Sequence, residues 1–179
     1  SNVVQSWNDK SGKGLQAEQA TAGNRPTLVA NGQNSLSTIR FDGTNDFIQV
    51  RSINITQAYT IYSVAKTTDA SSGRDYLFDG VTTNSARSLI ALRNGGKVQF
   101  WAGNWANSNF ASPSGFFTLS ATFNNTNSSL SLNGNTATGK NTGSYSLTNG
   151  INIGTNYNTN ADFLEGDIAE FIIVDGIAS

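Results

Sequence analysis

Hydrophobic and polar residues alternate along most of the chain, and no segment shows the period of an amphipathic helix. The clearest alternation lies in residues 116–123, where Phe117, Leu119, Ala121 and Phe123 share one face. The Thr and Ser residues between them share the other face, which is typical of a strand with one side in the core. The same reasoning predicts ten further strands, at residues 37–41, 47–50, 59–66, 75–78, 88–92, 97–101, 129–132, 136–138, 151–153 and 167–174.

Short turn sequences separate these predicted strands. Asn133-Gly134 joins two of them and is a strong hairpin signal, because both residues tolerate positive φ. Asn94-Gly95-Gly96 has the same character between two other strands. The two prolines, Pro26 and Pro113, both lie outside the predicted strands, as ladder hydrogen bonding requires.

About a dozen short antiparallel strands, each with one apolar face, must stack as two sheets to bury those faces. We therefore predict an all-β, two-sheet antiparallel jelly-roll sandwich. No repeat, low-complexity tract or second boundary divides the chain, so residues 1–179 are predicted to form a single domain. Ser1 begins abruptly within a segment that has the pattern of structure, which favours a module excised from a larger protein with flanking domains.

The composition is poor in charge and rich in neutral polar groups. Charged residues make up 13% of the chain and hydrophobic residues 37%, and there are 23 asparagines and 18 glycines. A net charge of −1 without a run of basic residues argues against a nucleic-acid partner, which would need a basic surface. No apolar run approaches the roughly 18 residues of a membrane span, so no membrane insertion is expected.

The chain contains no His, Cys or Met. This excludes Ser-His and Cys-His nucleophile systems, His-ligated zinc and iron–sulfur sites. Any bound metal must be a hard cation held by oxygen, and Ca²⁺ is the first candidate. Asp42, Asn45 and Asp46 resemble a sparse calcium loop, although Asp42-Gly43 is equally explained as a turn in which Asp bonds its own backbone. The sequence does not locate a metal site.

Motifs at both ends of the chain carry a family resemblance. They are Val4-x-x-Trp7-x-Asp9-x-Ser11-Gly12, Arg25-Pro26-Thr27 and Ile39-x-Phe41-Asp42-Gly43-x-x-Asp46 near the start, and the run from Gly166 to Asp175 at the end. Together they bracket nearly the whole chain and resemble bacterial laminin G-like, concanavalin A-like lectin and glucanase domains. The resemblance implies a jelly roll, roles in glycan binding and adhesion, and an extracellular or cell-surface location. A chain without disulfides suits a bacterial exported protein.

The segment 99–110 carries the strongest signal for ligand binding. If its neighbours on the strand face the core, alternation places Gln99 and Trp101 on the opposite surface. Trp105 then lies beyond the strand in an Asn-rich loop that also contains Asn104. The apolar face of a sugar stacks on an indole, and side-chain amides pair with hydroxyls. The alternative is that both Trp residues pack against neighbouring loops.

A second aromatic–amide cluster, at Tyr157 and Asn158, precedes the last strand. It can belong to the same ligand surface, and a solvated, turn-rich loop is the alternative. Arg74, Asp75 and Arg87 can supply charged contacts to a glycan, although surface ion pairing explains them equally well.

The spacing Glu165-x-Asp167-x-x-Glu170 resembles the catalytic strand of jelly-roll β-glucanases, in which a bulge aligns the acidic residues. A retaining hydrolase needs two carboxyl groups about 5–5.5 Å apart. In this chain the strand is the last one, Gly166 replaces a bulky residue, and the same run occurs in non-catalytic laminin G-like domains. Binding is therefore favoured over a retaining β-glycanase that uses Glu165 and Glu170.

These observations favour a non-catalytic carbohydrate-binding or adhesion module of a secreted or surface bacterial protein. The expected ligand is a neutral oligo- or polysaccharide. Two alternatives remain: a jelly-roll glycoside hydrolase or polysaccharide lyase, and a structural or protein-interaction spacer. The candidate ligand-binding residues are Gln99, Trp101, Asn104, Trp105, Tyr157 and Asn158.

Overall fold

The computed structural model describes residues 2–68, 74–83, 85–93 and 96–177. These residues contain two single-turn 3₁₀ segments, Ala22–Asn24 and Asn125–Asn127, and no helix among them is long and apolar enough to span a membrane. Their strands, numbered in chain order, are β1 (Ser6–Trp7), β2 (Ala17–Glu18), β3 (Thr27–Gln33), β4 (Leu36–Asp42), β5 (Ile48–Val50), β6 (Asn54–Ile55), β7 (Tyr59–Thr67), β8 (Arg74–Gly80), β9 (Leu89–Arg93), β10 (Lys97–Trp101), β11 (Trp105–Ala111), β12 (Gly115–Phe123), β13 (Ser128–Leu132), β14 (Asn135–Lys140), β15 (Leu147–Thr148), β16 (Ile151–Ile153) and β17 (Glu165–Asp175).

Two large sheets contain every one of these strands except β6 and β15, which form a small separate pair. The first sheet has eight strands in the order β1-β2-β5-β16-β8-β9-β10-β11. The second has seven strands in the order β14-β13-β12-β7-β17-β4-β3. Neighbouring strands in both sheets are antiparallel. The predicted fold class, an all-β, two-sheet antiparallel jelly-roll sandwich, is confirmed.

An aromatic cluster holds the two sheets face to face. The ring of Phe123 lies 5.0 Å from that of Tyr59, 6.3 Å from that of Phe78 and 5.8 Å from that of Phe100, measured between centroids. All four side chains are completely buried. Phe78 and Phe100 come from the eight-stranded sheet, and Tyr59 and Phe123 come from the seven-stranded sheet. Burial of each ring is worth about 1.5–3 kcal/mol, so this cluster determines which face of each sheet points inward.

The strands predicted from alternation are all present, with ends that differ by one or two residues. The predicted hairpin at Asn133-Gly134 is also correct, because these residues join β13 to β14 and have φ values of 49° and 81°. The predicted turn residues Asn94 and Gly95 lie outside the described residues. Hydrophobic alternation therefore predicts correctly the strands that have a continuous apolar face.

Six further strands escape the hydrophobic pattern. β1, β2, β6 and β15 have only two residues each. β3 and β11 contain Asn, which local propensity disfavours in strands, but pairing with β4 and β10 overrides that preference. The expectation that Trp105 lies in a loop is wrong, since Trp105 begins β11 directly opposite Trp101. The hairpin turn between them is confined to residues 102–104.

Candidate functional site

One face of the eight-stranded sheet points away from the core, and its side chains form a row across the strands. Trp105 on β11 lies opposite Trp101 on β10, which in turn lies opposite Leu89 on β9. The row continues through Asp79 on β8 and Asn152 on β16. Val98 and Phe100, which alternate with Gln99 and Trp101 along β10, are completely buried in the core, as the alternation predicts.

Three aromatic side chains gather at the β10–β11 end of this row. The ring centroids of Trp101 and Trp105 are 6.4 Å apart, and the two planes are tilted by 49°. Tyr145 meets Trp101 edge-on, with a centroid distance of 5.4 Å. Trp105 is 41% exposed, and Trp101 and Tyr145 are half-buried. These rings therefore form an apolar surface that faces solvent and is not packed between the two sheets.

Arg87 connects this aromatic surface to the second predicted cluster. Its guanidinium carbon lies 5.1 Å from the ring centroid of Trp101 and 4.2 Å from that of Tyr157. Asp79 holds the guanidinium through two bonds, in which Nε donates to Oδ1 at 2.7 Å and an Nη donates to Oδ2 at 2.6 Å. An arginine between two rings and fixed by a bidentate carboxylate has little freedom to move. Trp101, Arg87 and Tyr157 therefore form one continuous stack.

Asp79 is buried beneath this stack, with no exposed surface. Its Oδ2 also accepts a hydrogen bond from the backbone N–H of Tyr157 at 3.0 Å. Burial raises the pKa of Asp79 to about 6, against the lowering effect of Arg87 and of the backbone N–H groups. Above about that pH, Asp79 is ionised and anchors both Arg87 and the loop that carries Tyr157.

The loop between β16 and β17 lies over the outer face of the sheet. The Nδ2 of Asn152 donates to the backbone carbonyls of Asn156, at 3.0 Å, and Tyr157, at 3.3 Å. The Oδ1 of Asn156 accepts from the backbone N–H groups of Asn158 at 3.1 Å and Asn160 at 3.5 Å. Asn side chains thus fix the backbone of this loop in the way that local side-chain bonds stabilise turns. We call residues 154–164 the covering loop.

Arg74 reaches toward the exposed indole from the other side of the face. Its guanidinium carbon is 4.7 Å from the ring centroid of Trp105. β8 and β11 are three strands apart, or about 14 Å, so the two side chains meet above the strands that lie between them. Arg74 also hydrogen-bonds Tyr76, whose pKa burial raises. Arg74 therefore packs against the ring of the exposed Trp105.

The predicted amide side chains occupy different positions around these aromatic rings. Gln99 lies opposite Asn107, and its Nε2 donates to the Oδ1 of Asn107 at 2.7 Å. Asn104 is exposed in the hairpin turn, where its Nδ2 donates to the backbone carbonyl of Asn141 at 2.9 Å. Asn158 is exposed on the covering loop. The structure thus places Gln99, Trp101 and Trp105 on one face, joins Tyr157 to them through Arg87, and leaves Asn104 and Asn158 at the edges.

Sequence reasoning missed the importance of Asp79 and the contribution of Tyr145. The interpretation of Arg87 as a surface ion pair is incomplete, because the side chains of Arg87 and Asp79 are 16% and 0% exposed. A β-bulge between Tyr76 and Phe78 changes which residues of β8 face outward. Strict alternation along β8 would place Asp79 on the same face as the buried Leu77, so the pattern gave no signal for this residue.

The acidic residues of β17 lie on the seven-stranded sheet, which is not the sheet that carries the aromatic face. Asp167 is almost completely buried and accepts from Nε and an Nη of Arg40, at 2.7 and 3.1 Å. Glu165 and Glu170 are exposed. A register shift between Ile168 and Glu170 shows that the strand contains a bulge. The central carboxylate of the Glu-Asp-Glu run therefore has a structural partner.

The Asp42 turn fits a backbone cap better than a calcium site. The Oδ1 of Asp42 accepts from the backbone N–H groups of Thr44, Asn45 and Asp46, at 2.8, 3.2 and 3.4 Å. Ca²⁺ takes six to eight oxygen ligands, whereas the described residues contain no group of three or more His, Cys, Asp or Glu that could hold a metal. Burial and the nearby Asp42 raise the pKa of Asp46 to about 6. The Oδ1 of Asp42 therefore caps the backbone of this turn, as the turn interpretation predicts.

An apolar cleft of about 430 Å³ opens elsewhere on the molecule. Trp7 and Phe171 line it, and both also pack against the main core. Its walls are mainly aliphatic side chains of the two inner faces, including Ile53 and Ile151. The exposed indoles and amides of the β10–β11 hairpin are not part of this cleft.

Comparison with known proteins identifies the fold. No protein-family model and no curated protein matches the sequence. Domain 4 of AbnA, a GH43 extracellular arabinanase from Geobacillus stearothermophilus solved in complex with arabinotriose, aligns with a TM-score of 0.69 and 18% identity, over 90% of this chain and 79% of that one. A GH54 α-L-arabinofuranosidase aligns with a TM-score of 0.72 and 15% identity, over 99% of this chain. Domains LG4-5 of the mouse laminin α1 chain align with a TM-score of 0.62 and 16% identity, over 90% of this chain.

The chain spans about half of the arabinofuranosidase and laminin chains, 48% and 47% respectively. At these identities the similarity shows the fold alone. The fold is a β-sandwich that also occurs in glycosidases, in a domain of an arabinanase and in laminin domains. The relationship to laminin G-like families is therefore one of structure, and the family suggested by the end motifs remains a resemblance.

Proposed function

We propose that the chain is a non-catalytic carbohydrate-binding module of a secreted or cell-surface bacterial protein, with a neutral oligo- or polysaccharide as its ligand. The observation that carries this proposal is the pair Trp101 and Trp105, side by side on the outer face, with Trp105 41% exposed. Two adjacent indoles on an outer face, one of them exposed, provide an aromatic surface on which a ligand can stack.

The chemistry of the face suits a sugar. The C–H side of a sugar ring stacks on an indole, and the hydroxyls around its rim need donors and acceptors. Gln99 and Asn107 lie one row along the same face, and their mutual hydrogen bond orients both amides. The remaining N–H groups of the exposed Asn107 are then available to a ligand hydroxyl.

The charges on the face favour a neutral ligand. Asp79 balances Arg87 through its bidentate contact. Paired charges of this kind orient a ligand without selecting an anion.

Two of the structural neighbours support a carbohydrate ligand. The arabinanase domain was solved with arabinotriose, and that enzyme is extracellular. Trypanosoma rangeli sialidase, solved with sialic acid, aligns over 100% of this chain and 30% of its own with a TM-score of 0.68 and 10% identity. The support lies in the shared fold, and the residues of the site must be tested in this chain.

Glycan-array screening followed by isothermal titration calorimetry tests the proposal, with arabinotriose among the first probes. We expect binding of a neutral saccharide that weakens about tenfold or more in Trp105→Ala and Trp101→Ala, because each loses a stacking surface. Phe116→Ala is the matched control, since Phe116 is a half-buried ring on the seven-stranded sheet. A blank array, or equal loss in all three variants, would refute the proposed site.

A glycoside hydrolase is the second candidate, favoured by the bulge beside Glu170 and by the glycosidases among the structural neighbours. Hydrolase activity is measured as the release of reducing ends from arabinan, xylan and β-glucan by the purified chain. We expect no release above that of a Glu165→Gln, Glu170→Gln double variant. Cleavage by the unmodified chain that the double variant lacks would replace the binding proposal with an enzymatic one.

A further inference from the structure

The row of outward-facing side chains crosses the whole eight-stranded sheet, but it is not open along its whole length. Beyond Asn152 it continues through Gln49 on β5 and Glu18 on β2. A face of this kind, if uncovered, would let a long saccharide cross every strand. Gln49 is half-buried and Glu18 is exposed, whereas Leu89 is 1% exposed and Asp79 and Asn152 have no exposed surface.

The covering loop is what closes the middle of the row. It is attached to two of the buried residues, because Asp79 accepts from the N–H of Tyr157 and Asn152 donates to two carbonyls of the loop. These bonds involve backbone atoms of the loop, so its position does not depend on the side chains it exposes. The loop divides the face into an aromatic half, on β9 to β11, and a polar half, on β5 and β2.

On the aromatic side, the boundary between the two halves is a continuous series of side-chain contacts. The Tyr157 ring contacts the Arg87 guanidinium, which contacts the Trp101 ring. A saccharide that stacks on Trp105 and extends toward β16 therefore meets the Tyr157 ring. Because Arg87 already lies against Trp101, the open part of the row is no longer than the two strand spacings from β11 to β9. This is about 10 Å, which is room for about two sugar residues and at most three.

We infer that the aromatic half recognises the end of a saccharide chain, or a short oligosaccharide of at most about three residues, and does not bind the interior of a long chain across the sheet. This inference rests on the proposed function. Its physical basis is the wall that the covering loop and the stacked Tyr157 place across the row. The covering loop thereby acts as a specificity element.

Calorimetry with one homologous series, from the monosaccharide to the hexasaccharide, tests the inference. The series is the one that the array identifies, or arabino-oligosaccharides if arabinotriose binds. We expect affinity to rise up to about the trisaccharide and to change less than twofold from there to the hexasaccharide. An affinity that continues to rise severalfold beyond the trisaccharide would overturn the inference. If no length binds, the proposed function fails instead, so the two failures are distinguishable.

Tyr157→Ala provides a second test, because it removes the ring and keeps the backbone bonds that hold the loop. We expect the hexasaccharide to gain at least about threefold in affinity relative to the trisaccharide in this variant. Thr159→Ala, a position on the same loop whose side chain makes none of the described hydrogen bonds, is the matched control and should retain the wild-type ratio. A hexasaccharide-to-trisaccharide ratio that is unchanged in Tyr157→Ala would show that this ring does not limit the chain, and the inference would fail.

Discussion

Among single residues, Asp79 has the largest influence on the geometry of the candidate site. It is completely buried, yet it contacts the guanidinium of Arg87 and the backbone of Tyr157. A buried carboxylate is tolerated only when its oxygens have partners. The same contacts that satisfy Asp79 also bring together residues 87 and 157, which are far apart in sequence. The contacts that satisfy the Asp79 carboxylate therefore also hold Arg87 and Tyr157 in the stack with Trp101.

Arg87→Ala removes the partner of this carboxylate. We expect the variant to lose about 3 kcal/mol of unfolding free energy, because it leaves a buried charge without its cation. Urea denaturation at neutral pH measures the loss. The double variant Asp79→Asn, Arg87→Ala removes both charges and should recover part of it. Equal losses in the single and double variants would show that the pair does not act as a unit.

Asp46 predicts a dependence of stability on pH. Burial and the nearby charge of Asp42 raise its pKa in the folded protein to about 6, from an ordinary value of 3.8. The folded protein therefore binds a proton more tightly than the unfolded chain does. Ionisation of Asp46 costs stability, and that cost is complete above about pH 6 and absent below about pH 4.

Asp46→Asn tests this expectation. The variant should be more stable than the wild type by about 1–2 kcal/mol at about pH 8, after allowance for solvent screening. The difference should disappear by about pH 4. Urea denaturation at both pH values, in the presence of EDTA, measures it. Destabilisation of the variant at the higher pH would indicate that the Asp46 carboxylate makes a favourable contact when ionised.

At the level of elements, the pairing of β10 with β11 sets the relative positions of the Trp101 and Trp105 rings. Alternation along β10 predicts correctly that Trp101 faces outward, because that strand pairs without interruption near its end. It does not predict β11, whose Asn and Ser residues are typical of loops. Pairing with β10 makes this segment a strand, and only the pairing places Trp105 opposite Trp101.

The same distinction explains how much of the site could be predicted. The direction of Gln99 and Trp101 is a local property of one strand and follows from the sequence. The stack with Arg87 and Tyr157 is not local, because it requires a bulge in β8 and a loop that returns over the sheet. No pattern within a single segment reports on either feature.

Gly103 in the turn of this hairpin provides a test at the same scale. Its φ is +106°, and a Cβ atom there would lie 3.1 Å from the ring of Tyr145. We expect Gly103→Ala to displace Tyr145, disturb its edge-on contact with Trp101, and weaken saccharide binding severalfold. Calorimetry measures the binding and urea denaturation the stability.

Gly134→Ala is the control for backbone strain. Gly134 also has positive φ, +81°, but no atom lies within 4 Å of a Cβ built on it. The Gly134→Ala variant should lose about 1 kcal/mol of unfolding free energy from backbone strain alone and should keep its saccharide affinity. If Gly103→Ala binds the saccharide as tightly as Gly134→Ala does, the contact between Tyr145 and Trp101 is not needed for binding.

For the whole molecule, the arrangement of the sandwich separates two kinds of surface. The eight-stranded sheet presents indoles, amides and a buried ion pair, while the seven-stranded sheet presents Thr, Ser and the exposed glutamates of β17 together with the exposed aliphatic side chains of Leu28, Leu36 and Ile172. The proposed binding surface consists of a few side chains, so a single site is expected to bind weakly. Useful affinity for a polysaccharide surface would then depend on several sites acting together.

Two copies of the chain joined by a flexible Gly/Ser linker test this expectation. When two sites engage one surface, the second binding event becomes intramolecular, and avidity rises by about 10²–10⁴. We expect a gain of at least about 100-fold for the tandem protein on an immobilised polysaccharide dense in chain ends. Its affinity per site for a soluble trisaccharide should be unchanged, since a small ligand cannot bridge two sites. A tandem protein with Trp101→Ala and Trp105→Ala in one copy should bind the surface as a single module does. If it keeps the full gain, the contact with the surface involves residues outside the aromatic face, and the site assigned to Trp101 and Trp105 is wrong.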